Sequence, residues 1–226
     1  MIRLILFDID GTLIRSAGSG SVAFGRTFET LFNLPEAAKH LEFAGRTDRS
    51  LLQEFFDQQG IEPSRKLENH FFHIYAHWLA ELLPQTEGTV LPGVRELMDG
   101  LTKAPTPPTL GLLTGNIRLA AELKLRHFGL WRHYPVGVFG DEHHCRNTLA
   151  RMAVEKARDL IDQDLSQEEI LIIGDTPHDI ACARSIGAKS LAVATGGFEM
   201  SDLTKAGATQ TVTDLTCIHH ETLLSF

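Results

Sequence analysis

A chain of 226 residues that is 43% hydrophobic has ample material for a buried core, and its length fits one large domain or one domain with an insert. A formal net charge of -8 excludes nucleic acid as the main partner, because phosphate backbones select basic stripes. It leaves room for a small phosphorylated ligand, since a few donors and a metal reverse the field inside a cleft.

Residues 3–7 open the chain as an apolar run without polar alternation, the pattern of a strand covered on both faces. The run is too short for a signal peptide and leads straight into Asp8 and Asp10. No segment approaches a membrane span. Cys145, Cys182 and Cys217 are odd in number and fit no zinc pattern, so free thiols in a cytoplasmic protein are expected.

From about Ser16 to Gly88 no buried strand is evident. Three helices are expected there, over 22–32, 49–59 and 65–83, the last with Leu67, Phe71, Ile74, Trp78 and Leu82 on one stripe. Gly60 ends the second, Pro63-Ser64 opens the third, and Pro84 and Gly88 mark the return. Further apolar runs follow at 110–114, 136–139, 170–173 and 190–193, with helical patterns at 117–128, 148–160 and 177–186 between them. Alternating strands and helices predict an α/β fold, a doubly wound parallel sheet. The expected organisation is a core of residues 1–15 and 89–226 with a helical domain, 16–88, inserted after the first strand. Gly18 and Gly20 fall near one hinge.

Three clusters carry chemistry, each at the carboxyl end of an expected strand, where ligands bind in open parallel sheets. Asp8-Ile9-Asp10-Gly11-Thr12 puts two carboxylates where they repel each other unless a cation or proton intervenes. Thr114-Gly115-Asn116 offers a hydroxyl and main-chain amides at a helix start, an anion site or a simple helix cap. In Gly174-Asp175-Thr176-Pro177-His178-Asp179 two carboxylates converge if a helix begins near Pro177, and hard oxygen ligands suit magnesium. Each cluster alone has a structural explanation.

In this order, they give a sequence that resembles the haloacid dehalogenase (HAD) superfamily, especially phosphoglycolate-phosphatase-like members with a helical cap. Asp8, Asp10 and Thr12 match the first motif, Thr114 the second, Asp175 and Asp179 the fourth, and the insert falls where that family carries its cap. Leu91-Pro92-Gly93-Val94 looks like the usual re-entry into the core. The third motif departs from the commoner Lys: Arg146 aligns there, with Arg151, Lys124 and Lys156 as competitors. The resemblance implies a magnesium-dependent phosphatase acting on a small phosphorylated metabolite. Asp8 is then the nucleophile that becomes an aspartyl-phosphate, and Asp10 the acid and base. Mg2+ is held by Asp8, the Asp10 carbonyl and Asp175, with Asp179 nearby. Thr114, Gly115, Asn116 and Arg146 surround the phosphoryl group, and Thr12, counted with these binding residues, orders the turn at Asp10.

Asp10 sets this sequence apart from carbon-attacking dehalogenases and leaves a sugar phosphomutase as the alternative enzyme. A non-catalytic metabolite-binding regulator has no use for Asp10, and a phospho-receiver domain has no use for the insert. The segment 44–49 reads either as a loop that meets the substrate, with Arg46 on an anionic group, or as a helix cap by Thr47 or Asp48. His70, His73 and His77 share a helix face opposite the apolar stripe and are expected in solvent. Asp141 is read either as a brace for Arg146 or the metal's waters, or as a turn residue. The substrate's identity and the choice of monomer or homodimer stay open.

Overall fold

In the computed structural model, which describes residues 1–226, the apolar runs lie side by side. The chain forms β1 (Leu4–Phe7), β2 (Ile14–Arg15), α1 (Ser19–Phe32), α2 (Asp48–Gln59), α3 (Arg65–Leu82), β3 (Thr89–Val90), α4 (Val94–Thr102) and β4 (Thr109–Leu113). There follow α5 (Arg118–His127), β5 (Val136–Val138), α6 (Arg146–Leu160), β6 (Ile170–Gly174), α7 (Pro177–Ser185), β7 (Lys189–Val193), α8 (Met200–Lys205), β8 (Gln210–Val212) and α9 (His220–Leu224). Six strands make one parallel sheet in the order β5-β4-β1-β6-β7-β8. β1 is central. The chain builds outward on one side through β4 and β5, then crosses to β6 on the other. That reversal opens a crevice beyond the carboxyl ends of β1, β4 and β6.

The apolar runs are continuous because both faces are covered. Ile5, Phe7, Leu110, Leu112, Leu171 and Ile173 pack on one face with α4 and α5. Leu4, Leu6, Leu113, Ile170 and Ile172 pack on the other with α6 and α7. The edge strand β8 was not expected: Gln210 and Thr211 interrupt its apolar character.

Residues between β2 and β3 hold the three expected helices, with α1 starting earlier, at Ser19. Gly18 is its N-terminal cap residue at φ 79°, and Gly20 lies inside the helix rather than at a hinge. β2 and β3 pair antiparallel, Ile14 opposite Val90 and Arg15 opposite Thr89, so the entry and exit of the insert are tied together. The helices bury their own cluster of 16 residues, to which α5 contributes Ile117 and Ala120. Phe24 is at its centre, with ring centroids of Phe28, Phe43, Phe71 and Tyr75 at 5.6, 5.6, 5.0 and 4.7 Å. The buried stripe of α3 is Phe71, Phe72, Tyr75, Ala76, Leu79 and Leu82, which shares Phe71 and Leu82 with the expected one but is otherwise displaced by one residue around the helix. Leu67, Ile74 and Trp78 are only partly buried, and Trp78 Nε1 donates to Thr30 Oγ1 at 3.1 Å under the Arg26 guanidinium. No helix is long and apolar enough to cross a membrane.

Two separate apolar clusters predict separable stability. Phe24→Ala is expected to cost about 3–5 kcal/mol and to split denaturant unfolding, followed by circular dichroism, into two steps. One transition shared by the whole chain would show a single cooperative unit.

Candidate active site

Asp8 directly extends β1, its N–H donating to Ile173 O at 2.9 Å. Asp175 follows β6 in the same way. After Asp175 the chain turns into α7 through a capping box: Asp179 Oδ2 accepts from Thr176 N at 3.1 Å and Thr176 Oγ1 at 2.7 Å. Asp179 is thereby drawn back toward the sheet edge. Asp8, Asp175 and Asp179 are all buried, with carboxylate oxygens within 4.8 Å of one another.

One side-chain cation enters this cluster. Arg146, first residue of α6, pairs through Nη2 with Asp179 Oδ1 and lies 3.7 Å from Asp8 Oδ2. Burial pushes the guanidinium toward losing its proton, but Asp179 and Asp8 outweigh it and raise its pKa. Its Nε is buried with no partner. Burial raises the Asp8 carboxyl above its ordinary range and Arg146 pulls it back only in part. Asp175 is also raised, by burial and then by the charges of Asp179 and Asp8. Three carboxylates against one guanidinium leave two formal negative charges.

The main chain leaves space for no side chain around Asp175. A Cβ on Gly11, at φ 83°, or on Gly196 would overlap its carboxylate. Excess negative charge, an all-oxygen donor set and this close backbone cradle fit a divalent hard cation. Thr12 is 1% exposed and donates to Asp175 Oδ1 at 3.0 Å. It braces Asp175 and does not line the cavity, contrary to its expected place among the binding residues.

Asp10 faces a different cation. Lys124 Nζ lies 2.6 Å from Asp10 Oδ2 and 2.7 Å from Asn116 Oδ1, Asn116 Nδ2 donates to Asp10 Oδ2 at 2.9 Å, and Ser16 Oγ donates to Asp10 Oδ1 at 3.0 Å. Burial alone would raise the Asp10 pKa, but Lys124, Asn116 and Ser16 together lower it. Lys124 is 3% exposed. It therefore serves Asp10, not Asp8, and only its position on the buried side of α5 hinted at this. Lys156 pairs with Glu142 and Arg151 donates to Thr148, both outside the cavity.

The insert closes the site. Asp48 N donates to Gly115 O and Asp48 Oδ2 accepts from Ile117 N, both at 2.8 Å, while Thr47 Oγ1 donates to His144 O at 3.0 Å. Thr47 also caps α2, accepting from Ser50 N at 3.1 Å. Burial pushes the Asp48 carboxyl up to about 7, against the pull of Lys124 and the Ile117 N–H. Arg46 lines the cavity, but its guanidinium is occupied by Glu54 and by Ser50 O at 3.3 Å. The expected free cation for a substrate anion is thus already paired. Gly115 and Asn116 reach the cavity wall. Thr114 does not: it is fully buried, and its hydroxyl accepts from Asn116 N and Nδ2 at 3.2 and 3.0 Å. Asp141 Oδ1 accepts from Arg118 N at 3.0 Å, capping α5 instead of bracing Arg146.

The resulting cavity of about 300 Å³ is walled by Asp8, Asp10, Tyr75, Lys124, Arg146 and Asp175, with main-chain segments between them. A larger open groove of about 1120 Å³ runs between α2, α3 and α5 but is lined by none of these residues, so volume alone does not locate the chemistry.

Known proteins share this architecture. The family profile described as haloacid dehalogenase-like hydrolase matches residues 5–193. A phosphoglycolate phosphatase of Chromobacterium violaceum is 27% identical, with 95% of this chain and 93% of that protein covered. A 5'-nucleotidase of Pseudomonas aeruginosa is 30% identical, covering 85% and 82%. CbbY of Rhodobacter sphaeroides, solved in complex with phosphate, superposes with a TM-score of 0.72 at 18% identity over 95% of each chain.

Two outcomes follow from the charges. Magnesium ions at pH 8 are expected to raise the thermal midpoint over a chelator-treated control. Asp175→Asn should remove most of that shift while making the metal-free protein more stable by about 2 kcal/mol, since a buried like charge is gone. Asp48 keeps a proton when folded that the unfolded chain releases from its ordinary pKa of 3.8. Its contribution to stability is present at low pH and is lost as pH rises toward about 7. Asp48→Asn is expected to flatten this part of the pH dependence in metal-free urea denaturation between pH 5 and 8; an unchanged slope would rule out a buried, raised Asp48.

Proposed function

The chain belongs to the haloacid dehalogenase-like hydrolase family, and on that footing we propose that it is a magnesium-dependent phosphatase of small phosphomonoesters working through an aspartyl-phosphate. The observation that carries this reading is the placement of Asp8 and Asp10 on one cavity wall with two different cations, Arg146 and Lys124. Separate counter-ions let two neighbouring carboxylates take different roles, one as nucleophile and one as proton carrier.

Asp8 attacks phosphorus in line with the ester oxygen. A bond forms between an Asp8 oxygen and phosphorus as the phosphorus–ester oxygen bond breaks. Asp10, ionised beside Lys124 in the ligand-free site, takes up a proton as the dianionic ester binds next to it and gives that proton to the departing oxygen, which leaves as an alcohol. Asp10 then withdraws a proton from water, which attacks phosphorus, releases inorganic phosphate and restores Asp8. Lys124, Asn116 and Ser16 hold the Asp10 carboxyl in one orientation throughout. Arg146 lies beside the nucleophile and supplies positive charge for the phosphoryl oxygens, and Gly115 lines the same cavity. Asp8, the Asp10 carbonyl and Asp175 would hold Mg2+, with Asp179 behind them, and the ion would neutralise charge on the phosphoryl group. Residues 16–88 act as a cap that roofs the leaving-group side, and residues 1–15 and 89–226 form the catalytic core.

Phosphate release from a panel of small phosphomonoesters tests this reading. Release should require magnesium and fall roughly 10³-fold or more in Asp8→Asn. Arg146→Ala should lose about 10²–10³-fold and Arg146→Lys distinctly less, since an ammonium keeps the charge but not the fork. Activity that survives Asp8→Asn rejects the nucleophile. Isomerisation of a sugar phosphate without net phosphate release points to a mutase instead.

A further inference from the structure

Beyond Asp10 the cavity presents polar groups that the proposed hydrolysis does not use. Tyr75, on α3, is 1% exposed, and its hydroxyl stands on the cavity wall without a hydrogen bond to the protein. Lys124 has three ammonium protons and two acceptors, Asp10 and Asn116. Its third N–H is free. These atoms meet over one main-chain position: a Cβ built on Gly20 would lie 3.4 Å from Lys124 Nζ and 3.7 Å from the Tyr75 hydroxyl. The absence of a side chain at Gly20 keeps that space open, in the first turn of α1, where Gly20 N and Ser21 N have no main-chain acceptor.

Packing does not account for the Tyr75 hydroxyl. The ring sits edge-on to Phe24 at 4.7 Å within a cluster built from phenylalanines. Phenylalanine would fill the same volume, and the hydroxyl, which reaches the cavity, gains no protein partner in return. The chain has 13 Phe and 2 Tyr. The other tyrosine, Tyr134, finds Met98 Sδ at 3.7 Å.

The acids nearest this point are Asp10, matched by Lys124, and Asp48, one oxygen of which is taken by the Ile117 N–H. What stays unsatisfied is a set of donors. The cavity, at about 300 Å³, holds the phosphoryl group as well, which favours a small leaving group.

We propose that Tyr75 and Lys124, converging over Gly20, form a subsite for an acceptor oxygen on the leaving alcohol, so that the enzyme selects small oxygenated phosphomonoesters over alkyl ones. The proposal rests on the phosphatase reading of the same cavity. The acceptor's source is a hydroxyl or a carboxylate, and the choice of ester separates the two.

The test compares kcat/KM for propyl phosphate, glycerol 1-phosphate and phosphoglycolate in the native enzyme and in Tyr75→Phe, with magnesium present. At least one oxygenated ester should exceed propyl phosphate by about tenfold or more, and Tyr75→Phe should shrink that ratio about tenfold. Preference for glycerol 1-phosphate identifies a hydroxyl, and preference for phosphoglycolate a carboxylate. The thermal midpoint of Tyr75→Phe should equal or exceed that of the native protein. Cleavage of all three esters without discrimination, or an unchanged ratio in Tyr75→Phe, overturns the subsite and leaves the phosphatase standing. A midpoint several degrees lower assigns the hydroxyl to structure and also overturns it. If no ester is cleaved, the phosphatase reading fails and the subsite falls with it.

Discussion

Three carboxylates buried at one sheet edge share a single guanidinium, and this imbalance organises the site. Arg146 reaches both Asp8 and Asp179, so neither acid has a full counter-charge. Burial amplifies what remains, because low polarity strengthens repulsion and removes the solvent that would relieve it. Asp8 and Asp175 consequently bind protons more readily than free carboxyls do. Such a cluster persists in a fold only if something compensates when it is charged. The glycines that wrap Asp175 and the brace from Thr12 hold the carboxylate in place for that compensation instead of letting it turn to solvent.

Asp10 lies two residues from Asp8 and has the opposite environment. A nearly covered ammonium and two neutral donors serve this one carboxyl, and its pKa falls despite burial. The difference arises from strand geometry. Asp8 continues the line of β1 into the cluster, while the chain after Ile9 turns, placing Asp10 toward α5 and the insert. Two acids close in sequence thus acquire separate counter-ions from different helices, Arg146 from α6 and Lys124 from α5.

The helical insert takes part in the Asp10 environment without supplying a free charge. Its residues 47 and 48 bond to the main chain at Gly115, Ile117 and His144. These contacts fix the loop that carries Asn116, and Asn116 in turn bridges Lys124 and Asp10. Position of the insert is therefore coupled to orientation of Asp10 through three consecutive hydrogen-bonding steps. Because the insert has its own apolar cluster and joins the core through a two-residue ribbon, it is held as a unit and not as a loose loop.

Much of this was legible in the amino-acid sequence. Continuous apolar runs announced strands covered on both faces, and Asp8, Asp175 and Thr114 were placed at strand ends by adjacency alone, since a residue next to a buried strand has nowhere else to go. Arg146 was readable only through the resemblance, ahead of a helix expected from 148, and α6 in fact begins with it. Pairing over long separations was not readable. Lys124 and Asp10 are 114 residues apart, Asp48 and Ile117 are 69 apart, and nothing local distinguishes such a lysine or aspartate from one in solvent. Arg46 looked free because its partner Glu54 becomes a neighbour only once α2 has formed. Thr12 and Thr114 looked like ligand contacts because their motifs lie at the crevice, yet their hydroxyls turn inward to Asp175 and Asn116. The sequence by itself determined the elements, their order and which acids crowd one edge, since these follow from local periodicity and chain connectivity. Only tertiary structure decided which cation serves which acid, because that depends on how helices distant in sequence pack across the sheet.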